Sequence, residues 1–293
     1  MVVWCIRKLG AAPLRPLVIP IALYYCLFDA RARRASQAYL LRVGAYREGD
    51  GRRTRLMHTY RHFRSFAEVI LDRLAIWGGS QDEFEITIHE KRTVLDLVEK
   101  NRGGFMVSAH LGSFDVMRVI AREADIPVNV LIFTANAPQI NAAFAALDPR
   151  ARVRLIEVDP QSTFSPSMVL EIRRRIEAGE FVATMGDRTP PETRGRVAQV
   201  DFLGGRADFP ESVFLLAMVI GAPVLLAAAL RSGPKRYDMF FETLSDGQKI
   251  PRNERQKHVD LQLQTFAQRL EFLCRKAPYQ WFNFYDFWGP NAE

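Results

Sequence analysis

Cysteine is scarce in this chain, acidic residues are scarce at one end of it, and several familiar catalytic signatures are missing altogether. The three cysteines among 293 residues, Cys5, Cys26 and Cys274, lie far apart and form no C-x-x-C pair. That excludes a disulfide framework and a cysteine zinc site, and fits a reducing compartment. There is no G-x-S-x-G elbow, and Ser108, in the strand before His110, is in the wrong context for one, which argues against a serine hydrolase. His58 and His62 are four apart, but H-T-Y-R-H lacks the glutamate of H-E-x-x-H and no third ligand is evident. They are expected as residues of an amphipathic helix, and no metal site is expected. No internal repeat or low-complexity linker divides the chain, and its 48% hydrophobic and 25% charged content is that of a folded protein.

Residues 1–64 hold 13 Lys/Arg against three Asp/Glu, a surplus of ten, whereas the remainder holds 27 against 30. A basic end on a slightly acidic body suits a polyanionic surface, either anionic lipid or nucleic acid. The apolar run Leu17 to Phe28 decides for lipid, because Arg31, Arg33 and Arg34 follow it and Trp4, Tyr24 and Tyr25 lie nearby as interface-seeking aromatics. Nucleic acid is therefore not expected as a partner. Twelve helical residues reach roughly 18 Å, short of the ~30 Å hydrocarbon core, and Pro20 adds a kink, so the segment is expected to insert without cleanly spanning. A cleaved secretory signal is disfavoured, since Arg15 interrupts the apolar region and R-A-R-R stands where small residues would mark cleavage. The basic flank places itself, and the body behind it, on the cytoplasmic side of a membrane.

Beyond the anchor, apolar residues at helical spacing from Thr54 to Trp77 predict a helix ended by Gly78-Gly79. Short apolar strands then interleave with helices. Strands are expected at Phe105–Ala109, Val128–Phe133, Val153–Val158, Phe181–Met185, Val197–Phe202, Val224–Leu230 and Met239–Thr243, and helices at Phe114–Ala124, Ala137–Ala146, Met168–Ala178, Glu211–Ile220 and Lys257–Lys276. This order predicts an α/β fold with a mixed, largely parallel sheet flanked by helices. Two parts are expected: a membrane-anchoring helical segment, 1–50, and one body, 51–293.

The strongest chemical signal is Val107-Ser108-Ala109-His110-Leu111-Gly112-Ser113-Phe114-Asp115, a strand running into a glycine turn and then a helix. On one continuous helix His110 and Asp115 would point about 140° apart, but across a turn they can meet. Ser113 is the expected N-cap, putting Asp115 in the first helical turn. An ionised aspartate on one imidazole nitrogen leaves the other free as a general base. A second cluster, Met185-Gly186-Asp187-Arg188, ends another expected strand, where polar side chains of open α/β sheets face a ligand crevice. Arg188 there is either a clamp for phosphate or carboxylate, or one half of a local pair with Asp187 or Glu192. A third segment runs from Phe202 to Ser212. Its Gly204-Gly205 offers backbone amides to an oxyanion or phosphate, while Pro210 and Glu211 read equally as helix-start chemistry.

Taken together and in order, these segments resemble the lipid A biosynthesis (lauroyl/myristoyl) acyltransferase family within the wider glycerolipid acyltransferase group. The likeness runs through most of the chain: the N-terminal apolar segment, Arg33-Arg34-Ala35-Ser36-Gln37-Ala38-Tyr39-Leu40, His110-x4-Asp115, Gly186-Asp187-Arg188, Phe202-Leu203-Gly204 with Phe209-Pro210-Glu211, Gly221-Ala222-Pro223, and the aromatic tail Gln280 to Trp288. Many lipid A enzymes carry Glu where Asp115 stands, and the broader group usually has Gly at Ser212. The resemblance implies His110 as general base with Asp115 orienting it. It further implies that Glu211, with Arg188 or Arg206, binds the polar head of the acceptor, with Asp187, Gly204 and Gly205 close by. The implied activity is transfer of a fatty acyl chain from an acyl carrier protein or coenzyme A thioester to a membrane lipid, at the inner membrane. No cofactor beyond the thioester co-substrate is implied. A lipid-binding protein that kept the fold and lost the reaction is the alternative. The aromatic tail is expected to pack mainly into the core.

Overall fold

A computed structural model describes residues 12–124, 126–132, 153–158, 164–188 and 196–289. It is an α/β protein with a seven-stranded sheet in the order β1-β9-β8-β2-β5-β3-β4. The strands are β1 (Glu85–His89), β2 (Gly104–Ser108), β3 (Val128–Ile132), β4 (Val153–Glu157), β5 (Phe181–Met185), β8 (Val224–Gly233) and β9 (Arg236–Ser245). All neighbours run parallel except the β8–β9 hairpin, so the expected mixed, largely parallel sheet is present. The remaining strands, β6 (Val197–Phe202) and β7 (Gly205–Pro210), form a separate antiparallel ribbon. The helices are α1 (Val18–Phe28), α2 (Ala30–Arg42), α3 (Arg52–Trp77), α4 (Arg92–Glu99), α5 (Asp115–Glu123), α6 (Pro166–Glu177), α7 (Ser212–Ile220) and α8 (Arg255–Lys276).

The central strands read as near-continuous apolar runs because both sheet faces are covered. Alternate side chains divide cleanly between the two layers. Phe105, Val107, Val182, Leu226 and Ala228 face a core shared with α2, α6, α7, α8 and the ribbon. Met106, Phe181, Ala183, Leu225 and Ala227 face the layer made by α4, α5 and the end of α3. Tyr39, Leu40 and Val43 of α2 lie in the first of these cores together with Trp281 and Trp288. Residues before and after position 50 thus share one core. The tail tryptophans are buried, as their aromatic setting suggested.

Three elements escaped the sequence reading. The edge strand β1 alternates polar and apolar residues over only five positions, and the neighbouring α4 is only eight residues long. The strand β7 was hidden by its turn: Leu203 and Gly204 both have positive φ, 50° and 74°, the requirement of a tight two-residue hairpin. Pro210 consequently ends a strand rather than starting a helix; Glu211 takes the N-cap position and α7 begins at Ser212. The expected helix Ala137–Ala146 lies outside the described residues.

The N-terminal apolar run is helical from Val18 to Phe28 and meets α2 at a bend of 94°. No single described helix is long and apolar enough to cross a membrane; only this bent pair, taken with the turn that precedes it, meets the length and composition for a broken span. Ile19, Leu23, Tyr24, Leu27 and Phe28 point outward, Phe28 with 72% of its surface exposed.

Candidate active site

The parallel pairing of β2 with β5 puts Ser108 opposite Met185, and two residues beyond each lie His110 and Asp187. Both functional side chains thus emerge at the carboxyl ends of adjacent central strands, where open α/β sheets keep their ligand crevice. The His110 Nδ1 lies 2.8 Å from Asp187 Oδ1, and the His110 main-chain N–H donates to Asp187 Oδ2 at 2.9 Å. The same Oδ2 accepts the Trp281 indole N–H at 3.0 Å. Burial alone would push the Asp187 carboxyl up, but the His110 ring and main chain together with the Arg188 charge overcome this and hold it at about 2. Asp187 is therefore ionised at neutral pH. Its side chain is 1% exposed, whereas that of His110 is 35% exposed, so the carboxylate is sealed while the imidazole reaches solvent.

Arg188 Nε also lies 2.8 Å from His110 Nδ1, and its terminal nitrogen donates to the Phe282 carbonyl at 3.3 Å. Nδ1 cannot serve both neighbours: carrying a proton it donates to Asp187, and lacking one it accepts from Arg188. The fully buried, ionised Asp187 decides for the first arrangement, because an anion sealed beside a lone pair would be strongly unfavourable. The proton then sits on Nδ1, and Nε2 is the free base. The Arg188 Nε–H must then turn off Nδ1, and its guanidinium stays beside the ring as a positive charge.

The turn that carries His110 is held on two sides. Gly112 donates to the Gln280 carbonyl at 2.8 Å, Ser113 donates to the Ala229 carbonyl at 2.9 Å, and Phe282 N–H donates to the His110 carbonyl at 2.7 Å. Gly112 has φ +65°, and a Cβ on it would come within 1.9 Å of the Ala229 carbonyl oxygen, so only glycine fits. Behind Trp281, the buried His62 accepts from the Ser36 hydroxyl on Nδ1 and donates from Nε2 to the Trp281 carbonyl. Burial outweighs that last bond and holds His62 down at about 4, so it stays neutral. His58 sits elsewhere on α3, against the Tyr279 hydroxyl at 2.7 Å. Among the described residues no His, Cys, Asp and Glu cluster could hold a metal ion.

Asp115 stands in the first turn of α5 as expected and is buried, but its hydrogen bonds go elsewhere. Arg73 Nε binds its Oδ2 at 2.5 Å and the Trp77 indole binds its Oδ1 at 2.8 Å, both from α3. The carboxylate on His110 is thus Asp187 and not Asp115. The reason is geometric: register places Asp187 beside the ring, while the N-terminus of α5 faces the basic and indole groups of α3.

The third segment is not brought onto the His110 ring. Gly204 forms the hairpin turn and Gly205 starts β7, facing the Arg42 guanidinium and Trp288. Arg206 is about half exposed and bonds within the ribbon, to the Gln199 carbonyl at 2.9 Å and near Asp201 at 3.5 Å. Glu211 is buried at the ribbon's other end, between Arg196 at 3.4 Å and Gln256 at 3.3 Å. Of the residues singled out in sequence, His110, Asp187 and Arg188 meet; Asp115, Gly204, Gly205, Arg206 and Glu211 have other partners. Sequence reasoning missed Trp281 as a donor to the site. Its signal was one polar-edged aromatic among three in the Gln280–Trp288 tail, which reads as core.

No protein-family model matches the chain, and no curated protein matches it in sequence.

Proposed function

We propose that the protein is a membrane-associated acyltransferase of the lipid A biosynthesis kind, with a glycerolipid acyltransferase-like fold, moving a fatty acyl chain from a carrier-protein or coenzyme A thioester to a hydroxyl or amine of a membrane lipid. The observation that carries this reading is His110, about a third open to solvent at a strand end, with its Nδ1 on a buried ionised aspartate and its Nε2 left as a base. The apolar α1 face and the basic residues that follow it supply the lipid context.

In this mechanism His110 Nε2 removes the proton from the acceptor group. The acceptor oxygen or nitrogen then bonds to the thioester carbonyl carbon, and Arg188 offsets the negative charge on the carbonyl oxygen. When the carbonyl re-forms, the carbon–sulfur bond breaks and the departing thiolate takes the proton from the imidazolium. Asp187 holds the ring in one tautomer throughout and stays ionised. Here Asp187 replaces Asp115 as the orienting partner, and Asp115 instead ties α5 to α3 beside the site. Arg188 is retained as a residue for the acceptor or the reacting carbonyl; Glu211 and Arg206 are not needed for the step.

The test is mass spectrometry of total lipids from cells lacking the protein, complemented with the wild-type chain or with His110→Ala. A lipid that loses one acyl chain and regains it only with the wild type supports transfer and identifies the acceptor. Restoration by His110→Ala at normal protein levels would overturn it, and an unchanged lipid profile would favour a lipid-binding role.

A further inference from the structure

Between α1 and α3 lies an open cavity of about 580 Å³, inside the range of roughly 300–1,000 Å³ usual for small-molecule pockets. One wall is a single face of α3, formed by Phe63, Phe66, Ala67, Ile70, Leu71 and Leu74 at helical spacing. The opposite wall is α1 and the turn before it, with Leu14, Leu17, Val18, Ile21 and Tyr25. Phe284 closes part of the side, and among the described residues the one charged residue bordering the cavity is Asp29, the N-cap of α2. From Phe63 to Leu74 the α3 wall runs about 16 Å at the helical rise.

That wall reaches the active site through Phe66. Phe66 packs on Phe282 with ring centroids 5.1 Å apart, and Phe282 donates its N–H to the His110 carbonyl while its own carbonyl accepts from Arg188. The cavity also adjoins a surface that favours lipid. The outward side of α1 exposes Ile19, Leu23, Leu27 and Phe28, and the exposed Arg31 and Arg34 begin α2 just after it. An apolar face rimmed by arginines is the pattern of a helix lying in the interface of an anionic bilayer.

We propose that the cavity between α1 and α3 holds one hydrocarbon chain of a bilayer lipid, admitted sideways from the membrane and laid beside the His110 turn. Its purpose rests on the transferase reading, as the place where the acceptor keeps a chain while its polar group meets His110; its binding does not. A bilayer source fits better than a soluble thioester because the helix that walls the cavity is the one with the apolar outer face.

The experiment uses the full chain on phosphatidylglycerol vesicles containing a trace of phosphatidylglycerol with a diazirine at the end of one acyl chain. After irradiation, modified residues are located by peptide mass spectrometry. Adducts are expected on the outward residues Ile19, Leu23 and Phe28, and also on Ala67, Ile70 and Leu71. Ala67→Trp, which fills the cavity, is expected to cut the second set at least fivefold and leave the first unchanged. Should that variant fail to bind vesicles, Ala67→Leu decides, with an expected loss of about twofold. Adducts confined to the outward residues, cavity adducts indifferent to both substitutions, or labelling only by a soluble diazirine acyl-coenzyme A would each overturn the proposal. His110→Ala is expected to give the same adducts as wild type, so loss of the transferase reading and loss of this one are separately visible.

Discussion

Two buried aspartates stand near His110 in the chain or in space, and they are held in opposite ways. Asp187 comes from the end of β5 and receives the His110 ring, the His110 main-chain N–H and the Trp281 indole. Asp115 comes from the first turn of α5 and receives an arginine and an indole from α3. The first is 77 residues from its histidine and the second only five, yet the distant one makes the contact. Register between adjacent parallel strands sets the strand ends side by side, whereas a five-residue spacing across a turn leaves direction open. Asp187 therefore orients the base, and Asp115 anchors the helix that follows it.

Replacing each with asparagine separates these roles. Asp187→Asn keeps the shape but removes the charge that selects the Nδ1–H tautomer, and should lower the initial transfer rate by about 10²- to 10⁴-fold, the scale of general acid–base catalysis. Asp115→Asn should cost about tenfold or less in rate and show instead in thermal stability, because a buried carboxylate paired with arginine contributes there. Equal rate losses from the two variants would erase the distinction.

Acid should divide them again. The Asp187 carboxyl is depressed to about 2, below its unfolded value, so the stability it contributes is present above about pH 4 and disappears as pH falls toward 2. The contribution is on the order of 2 kcal/mol. Urea titrations of wild type and Asp187→Asn between pH 5 and 2 should therefore converge, with the variant losing less. Parallel curves would show that Asp187 is not the ionised partner.

The turn between His110 and Asp115 was legible down to its glycine, and the fold was legible in its central strands. Both-sided burial makes β2, β5 and β8 continuous apolar runs, and Phe181–Met185 and Val197–Phe202 are bounded as the sequence suggested. Strand β1 was lost because half its residues are polar at an edge, and β7 because Gly204-Gly205 reads as a loop until both φ values of its turn are known. Pairing across the sheet is a long-range property that no local spacing carries, so His110 and Asp187 were each visible as strand-end residues but not as partners. Trp281 was visible only as an aromatic. Gly112→Ala tests the legible part: with Ala229 carbonyl oxygen 1.9 Å from the new Cβ and φ at +65°, a loss of about 2 kcal/mol or more is expected in chemical denaturation.

Trp281→Phe should fall between these effects. It removes one of the three donors on Asp187 while keeping most of the ring packing, so a loss of about 1 to 3 kcal/mol in stability follows from leaving a buried carboxylate oxygen short of a partner. The rate should drop less than in Asp187→Asn, since the His110 contact survives. A rate loss as large as that of Asp187→Asn would mean that the indole, and not the strand register, sets the carboxylate's position.

The smallest effect is expected at the ribbon. Arg206 is half exposed, bonds the Gln199 carbonyl beneath it and faces Asp201, and neither partner belongs to the His110 cluster. Exposed pairs of this kind contribute at most about 1 kcal/mol. Arg206→Ala should therefore leave the melting temperature nearly unchanged and the transfer rate within about twofold, while Arg188→Ala, which removes the charge 2.8 Å from the His110 ring, should reduce the rate far more. If instead Arg206→Ala raised the KM for the lipid acceptor severalfold with kcat intact, the ribbon would have to reach the bound substrate, and the implied role of Arg206 in holding the acceptor's head would return.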